Sequence, residues 1–168
     1  MRERAKAFVA LGANLGEREA QIDRALLFLA ARGIATARRS SLYLTEPVGG
    51  PPQDWYVNAV AELDGAPSPE ALLLACLEVE RAMGRVRTVK DGPRTIDIDL
   101  LLHGSLIRHT EGLVLPHPRM HLRRFVLVPL CEIAPRAVHP GFGLTASELL
   151  ARCPDPSLVR AFAPAGVK

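Results

Sequence analysis

Cysteine is scarce in this chain. The three present, Cys76, Cys131 and Cys153, form no CxxC pair and no zinc-type spacing. An odd, widely spaced set excludes a disulfide framework and a zinc knuckle. It predicts reduced structural thiols, with Cys76 and Cys131 in apolar stretches of the core. Long hydrophobic runs are missing too: stretches such as Ala25–Ala31 fall far short of the roughly 18 apolar residues of a membrane-spanning helix. The opening Met1-Arg-Glu-Arg-Ala-Lys-Ala lacks the apolar stretch and cleavage site of a secretory signal, so the expected location is the cytoplasm, with no membrane partner. No Walker A sequence occurs, so any ATP site is built in another way. No internal repeat, low-complexity block or long linker interrupts the chain.

What is present suits a folded domain. The 168 residues are 48% hydrophobic and 23% charged, enough for a single domain over 1–168 with a real core. The net charge of +3 is unevenly spread. Residues 81–124 hold nine Lys/Arg against four Asp/Glu, a local +5, and the remainder is slightly acidic. Arg outnumbers Lys eighteen to three, and Arg pairs bidentately with phosphate. A basic segment of this kind favours an anionic partner: phosphate, nucleotide or nucleic acid.

Hydrophobic spacing predicts a strand over Ala7–Leu11, ended by Gly12, and a helix over Gly16–Arg32, stopped by Gly33. A second strand follows over Ile34–Leu44, then a Pro- and Gly-rich loop over Thr45–Asp54 and a third strand over Trp55–Leu63. Ser68-Pro69-Glu70 opens a helix that runs to Met83 and stops at Gly84: Ser as N-cap, Pro at N1, an acid in the first turn. Arg85–Arg94 is a charged loop, and Thr95–His103 alternates as a fourth strand. Met120–Ile133 has helical spacing interrupted by Pro129, which predicts a short or kinked helix. Ala146–Arg152 is a last helix, and the tail over about 154–168 is expected to be irregular. The order βαββαβ is that of an α+β, ferredoxin-like sandwich with C-terminal additions.

The sharpest local signal is Gly92-Pro-Arg-Thr-Ile-Asp-Ile-Asp-Leu-Leu-Leu102. On a strand, Asp97 and Asp99 share one face, while Ile96, Ile98, Leu100 and Leu102 share the other. Adjacent carboxylates repel unless cations sit between them, and a site with few other protein ligands suits Mg²⁺, which completes its shell from water and phosphate. The segment alone is equally compatible with a solvated strand face. Arg85, Arg87, Lys90 and Arg94 beside it turn the balance toward a polyphosphate site. A second cluster, Thr45-Glu-Pro-Val-Gly-Gly-Pro-Pro-Gln-Asp-Trp-Tyr-Val-Asn58, sets Tyr56 and Asn58 on one strand face. A ring and an amide suit a flat heterocycle, as they also suit a packed hairpin. A third cluster holds His117 between two prolines, then Arg119, Arg123, Arg124 and Phe125. The segment Leu11-Gly-Ala-Asn-Leu-Gly16 does not match a phosphate-loop pattern; Asn14 is expected to shape the turn into the helix.

Taken in order, these segments resemble the 6-hydroxymethyl-7,8-dihydropterin pyrophosphokinase family over roughly residues 7–150. The resemblance implies transfer of pyrophosphate from ATP to the hydroxymethyl group of the pterin, with release of AMP, in folate biosynthesis. It implies two Mg²⁺ ions on Asp97 and Asp99, with Arg85 and Arg94 stabilising the transferred group. It places Glu80, Arg87, Lys90, His117 and Arg123 on ATP. Thr45, Val48 and Asn58 would read the pterin edge, with Tyr56 and Phe125 on its faces. The family suggests a monomer whose loops at 45–55 and 85–94 close over substrate. Some members carry a Trp just before Gly-Pro-Arg where this chain has Asp91, so no role passes to Asp91. The competing class is a ferredoxin-like RNA-binding module using the basic 81–124 region, but paired carboxylates repel a phosphodiester chain, and no nucleic-acid partner is expected.

Overall fold

Strand β1 (Ala7–Ala13) is apolar on both faces because it runs through the middle of the molecule, and every one of its residues is buried. The chain then forms α1 (Arg18–Ala31), β2 (Ala35–Arg39), β3 (Tyr43–Thr45), β4 (Tyr56–Asp64), α2 (Pro69–Ala82) and β5 (Asp97–His103). It continues through β6 (Arg108–Thr110), β7 (Leu113–Leu115), a 3₁₀ turn at Met120–Leu122, α3 (Arg124–Ile133), β8 (Val138–His139), β9 (Leu144–Thr145), α4 (Ala146–Ala151) and β10 (Val159–Ala161). This computed structural model describes residues 5–84 and 95–163. Among them, no helix is long and apolar enough to cross a membrane.

The main sheet has the order β10-β3-β4-β1-β5, with β2 also paired to β4, and all its pairings are antiparallel. With the two helices crossing over one face, this is the ferredoxin-like arrangement. Alternation divides the residues cleanly. Ala7, Val9, Leu11 and Ala13 join Val57, Ala59, Ala61 and Leu63 under α1 and α2, whose Ile22, Leu29, Leu72 and Val79 are fully buried. Each such side chain contributes about 1.5–3 kcal/mol through burial. Phe8, Ala10 and Val60 face the other way, against Val126, Leu130 and Ile133 of α3. Because α3 covers only part of that face, the strand ends carrying Gly12, Asn58 and Asp97 are left for another use.

Local signals set α2 as expected. The Ser68 hydroxyl accepts from the Ala71 N–H, Pro69 occupies the first turn, and Gly84 follows with φ of +79°. Four expectations are corrected. The strand foreseen over Ile34–Leu44 is two strands, β2 and β3, because Ser40 turns inward and its hydroxyl accepts from the Val60 N–H at 3.0 Å. Leu102 lies on the face opposite Ile98 and Leu100, because the β1–β5 register slips between Phe8 and Val9 and leaves Leu101 as the extra residue. The expected interruption at Pro129 falls instead at Arg123, whose extended backbone (φ −122°, ψ 106°) separates the 3₁₀ turn from α3; the helix runs through Pro129. The tail after Pro154 is not wholly irregular: β10 pairs with β3 and extends the sheet.

Candidate active site

Strand pairing brings the distant motifs to one surface. In one row across three neighbouring strands, Asn58 of β4 pairs with Gly12 of β1, and Gly12 pairs with Asp97 of β5. In the next row Val60, Ala10 and Asp99 are partners in the same way. Beyond β4, Thr45 of β3 pairs with Tyr56. All these residues except Val60 line one cavity of about 380 Å³, a size suited to a small-molecule ligand. Val48, Arg123 and Phe125 close its rim, so eight of the sequence-predicted residues come together: Thr45, Val48, Tyr56, Asn58, Asp97, Asp99, Arg123 and Phe125.

The cavity has two chemical halves. In one, the Asn58 carboxamide donates from Nδ2 to the Thr45 hydroxyl at 2.6 Å, and both residues are buried. A buried amide fixed this way holds its orientation toward whatever lies beside it. In the other half, Asp97 and Asp99 are half-buried on the same face of β5. The Arg123 guanidinium lies 4.0 Å from Asp99 and 5.6 Å from the centre of the Phe125 ring, so one cation spans the acidic half and an aromatic wall. Among the described residues no group of three or more His, Cys, Asp or Glu is arranged to hold a metal. Two carboxylates fit a hard divalent cation that takes its remaining ligands from water and substrate oxygens, rather than one that needs a full protein cage.

Two predicted residues sit outside the cavity lining. Glu80 is buried on α2, and its carboxylate accepts from the backbone N–H of Ile98 in β5 at 3.3 Å. The His117 backbone N–H donates to the Leu101 carbonyl at 2.9 Å, and its Nδ1 accepts from the Arg119 N–H at 3.1 Å. Burial, then the positive charge of Arg123, with Arg119 adding and Asp97 opposing, pushes the His117 imidazole down to about 4. Its ring is therefore neutral at pH 7, and with Nδ1 accepting, the proton is on Nε2. Arg85, Arg87, Lys90 and Arg94 lie outside the described residues.

The strand ends also hold what motif reasoning missed. Ending β1 at Leu11 concealed Gly12, which alternation along a longer strand places on the cavity face. Asn14 does not cap α1, whose N-cap is Glu17. Instead, buried Asn14 donates to the Gln53 side chain at 2.8 Å and to the Asp54 carbonyl at 3.1 Å, tying down the loop before β4. Gln53, Arg119 and Leu122 join the cavity wall. All three thiols are free of disulfides, and Cys76 is buried as expected while Cys131 is only partly buried; burial, then Glu80 and Asp99, push Cys76 up to about 12, and burial raises Cys131.

Residues 8–135 match the family described as 7,8-dihydro-6-hydroxymethylpterin-pyrophosphokinase. The chain belongs to this family. It is 45% identical over 153 residues to the 2-amino-4-hydroxy-6-hydroxymethyldihydropteridine pyrophosphokinase of Methylorubrum extorquens, covering 90% of this chain and 95% of that one. The Bacillus subtilis protein of the same name is 41% identical over 128 residues, covering 76% and 77%. The fold is also similar to that of Plasmodium falciparum wild-type HPPK-DHPS, solved with pteroate, at a TM-score of 0.69 and 14% identity. That match covers 88% of this chain and 42% of the Plasmodium chain, so this chain corresponds to less than half of the fusion.

Proposed function

We propose that this chain transfers pyrophosphate from ATP to the hydroxyl of 6-hydroxymethyl-7,8-dihydropterin, releasing AMP, in folate biosynthesis. The observation that carries this reading is the single strand row Asn58–Gly12–Asp97, which sets a heterocycle-reading amide beside paired carboxylates. Family membership supplies the substrate class.

In this reading Asp97 and Asp99 would hold two Mg²⁺ ions, which when bound would supply positive charge to offset the negative charge of the phosphate groups. Asn58 and Thr45 hold the pterin edge, Val48 covers it, and Tyr56 and Phe125 flank its ring faces. That placement directs the hydroxymethyl group across Gly12 toward Asp97, where proximity lowers the barrier for attack on the β-phosphorus. The pterin hydroxyl oxygen gains the β-phosphorus bond and releases its proton to solvent as the bond from the β-phosphorus to the α-phosphate's bridging oxygen breaks, and AMP departs with that oxygen. Neutral His117 donates from Nε2 toward the nucleotide. Arg123 adds positive charge at the boundary of the two substrates. Glu80 acts beside them by holding the backbone of β5. Arg85 and Arg94 balance the charge of the transferred group, and Arg87 and Lys90 contact ATP. A monomeric working unit and a cytoplasmic location are part of the same proposal, carried by the family resemblance.

The test is product analysis. With Mg²⁺ and ATP, AMP should form only when the pterin alcohol is present. ADP as product, or salt-sensitive binding of single-stranded RNA without ATP binding, would overturn the reading. Asp97→Ala and Asp99→Ala should each lower turnover by about two to three orders of magnitude while leaving the melting profile nearly unchanged. Retained activity in both variants would remove the metal assignment.

A further inference from the structure

The centre of the cavity floor carries no side chain, and the space this leaves is used. A Cβ built on Gly12 falls 2.4 Å from Asn58 Oδ1 and 3.4 Å from its Cγ, with the Tyr56 ring at 3.6 Å. No side chain accepts a 2.4 Å contact, so any residue but glycine at this position displaces the Asn58 amide. The cause is space alone: Gly12 lies within the regular pairing of β1 with both neighbours, and it is not among the glycines with positive φ. Asn58 has little freedom to yield, because it is only 7% exposed and its Nδ2 is held by the Thr45 hydroxyl at 2.6 Å, itself 1% exposed. An amide pushed off Gly12 turns away from Thr45 and loses the orientation in which it presents its donor and acceptor.

We propose that Gly12 is a positioning residue for the flat heterocycle: its missing side chain is the slot in which the Asn58 carboxamide lies, and this fixes the hydrogen-bonding edge that the site offers. Gly12 also separates Asn58 from Asp97 in the same row, so the strip it leaves open is the ground the reacting hydroxymethyl arm crosses. Asn14, two residues on, serves the same half of the cavity by holding Gln53. The segment Gly12-Ala13-Asn14 is thus a side-chain-orienting device at a strand end rather than a phosphate loop. This inference rests on the pterin reading above.

The experiment compares wild type, Gly12→Ala, Asn58→Ala and the double variant in steady-state kinetics, with melting curves for each. Gly12→Ala should raise the KM for the pterin by about tenfold or more, with KM for ATP within about twofold of wild type. Because Gly12 acts through Asn58, the double variant should resemble Asn58→Ala alone rather than show the product of the two effects. If Gly12→Ala melts early, the double variant should recover stability, since removing the Asn58 side chain removes the clash. Independent, multiplicative effects in the double variant, an unchanged pterin KM in Gly12→Ala, or a double variant no more stable than a poorly folded Gly12→Ala would overturn the proposal. Absence of pterin-dependent AMP release from wild type would instead overturn the reading on which it rests.

Discussion

Glu80 and His117 both reach β5 through its backbone, and this gives each a structural duty beside the ligand contact expected of it. Glu80 is 4% exposed and satisfies the Ile98 N–H. Glu80→Ala should cost about 1–3 kcal/mol, because a buried donor loses its acceptor, whereas Glu80→Gln keeps an acceptor and should recover most of the loss in urea denaturation. Equal destabilisation by the two variants would show that charge, not the hydrogen bond, matters there. His117 makes a pH prediction. Its imidazole falls from 6.5 in the unfolded chain to about 4 in the folded one, so the unfolded state binds more protons between these values. The stability this group contributes is complete above pH 6.5 and is lost as pH falls toward 4. Wild type should therefore lose up to roughly 2 kcal/mol between pH 7 and pH 5 that His117→Gln does not lose. Parallel pH profiles for the two proteins would refute this. The type of side chain was legible at both positions, but their backbone partners lie 16 to 18 residues away and leave no local trace.

At the level of elements, legibility follows the range of the interaction that sets each boundary. Helix α2 was readable at both ends because Ser68, Pro69 and Gly84 act within one turn of it. The end of β2 was not, because the Ser40 hydroxyl meets a strand 20 residues later. The start of α3 is set from farther still: the Arg124 N–H donates to the Asp155 carboxylate at 3.0 Å, which fixes the helix end just after Arg123 enters the cavity wall. The other end of α3 is tied to the sheet by Glu132, which accepts from the Ser41 N–H at 2.7 Å and from the Tyr43 hydroxyl at 2.5 Å. Burial works to raise the Glu132 carboxyl, but these bonds, with Arg39 nearby, outweigh it and hold it below its usual 4.5. Burial and then the bond to Glu132 push the Tyr43 phenol up to about 12. A depressed carboxyl contributes stability above pH 4.5 that is lost as pH falls below it. Glu132→Ala should therefore cost about 1 kcal/mol at pH 7 and progressively less below pH 4, as thermal melts at the two pH values would show. A constant difference across that range would mean that packing, not the carboxylate network, anchors the helix.

Across the whole molecule, one face of the sheet is given to α1 and α2, while the other is shared between α3 and the cavity. The helix-covered face was legible from alternation and the βαββαβ order, whereas the place of α3 on the other face was not, because its contacts with Phe8, Ala10 and Val60 are all distant in sequence. Nor was the closure of the cavity side legible, since it depends on a segment with no strong local preference. Residues 155–162 return to the sheet edge. Asp155 caps α3, the Glu46 side chain accepts from the Leu158 N–H at 2.8 Å, β10 pairs with β3, and the Phe162 N–H donates to the Leu42 carbonyl at 2.9 Å. The segment thus braces the helix that presents Phe125 and the strand that ends at Thr45, two walls of the same cavity. Removing residues 155–168 should lower stability by about 2–4 kcal/mol, from the lost cap and strand pairing. It should also raise the pterin KM more than the ATP KM, because β3 carries Thr45 while Asp97 and Asp99 stand three strands away on β5. A truncated chain that melts early but binds both substrates as wild type does would show that the brace serves the fold alone; one that loses both affinities equally would show that β10 supports the entire sheet rather than its pterin side.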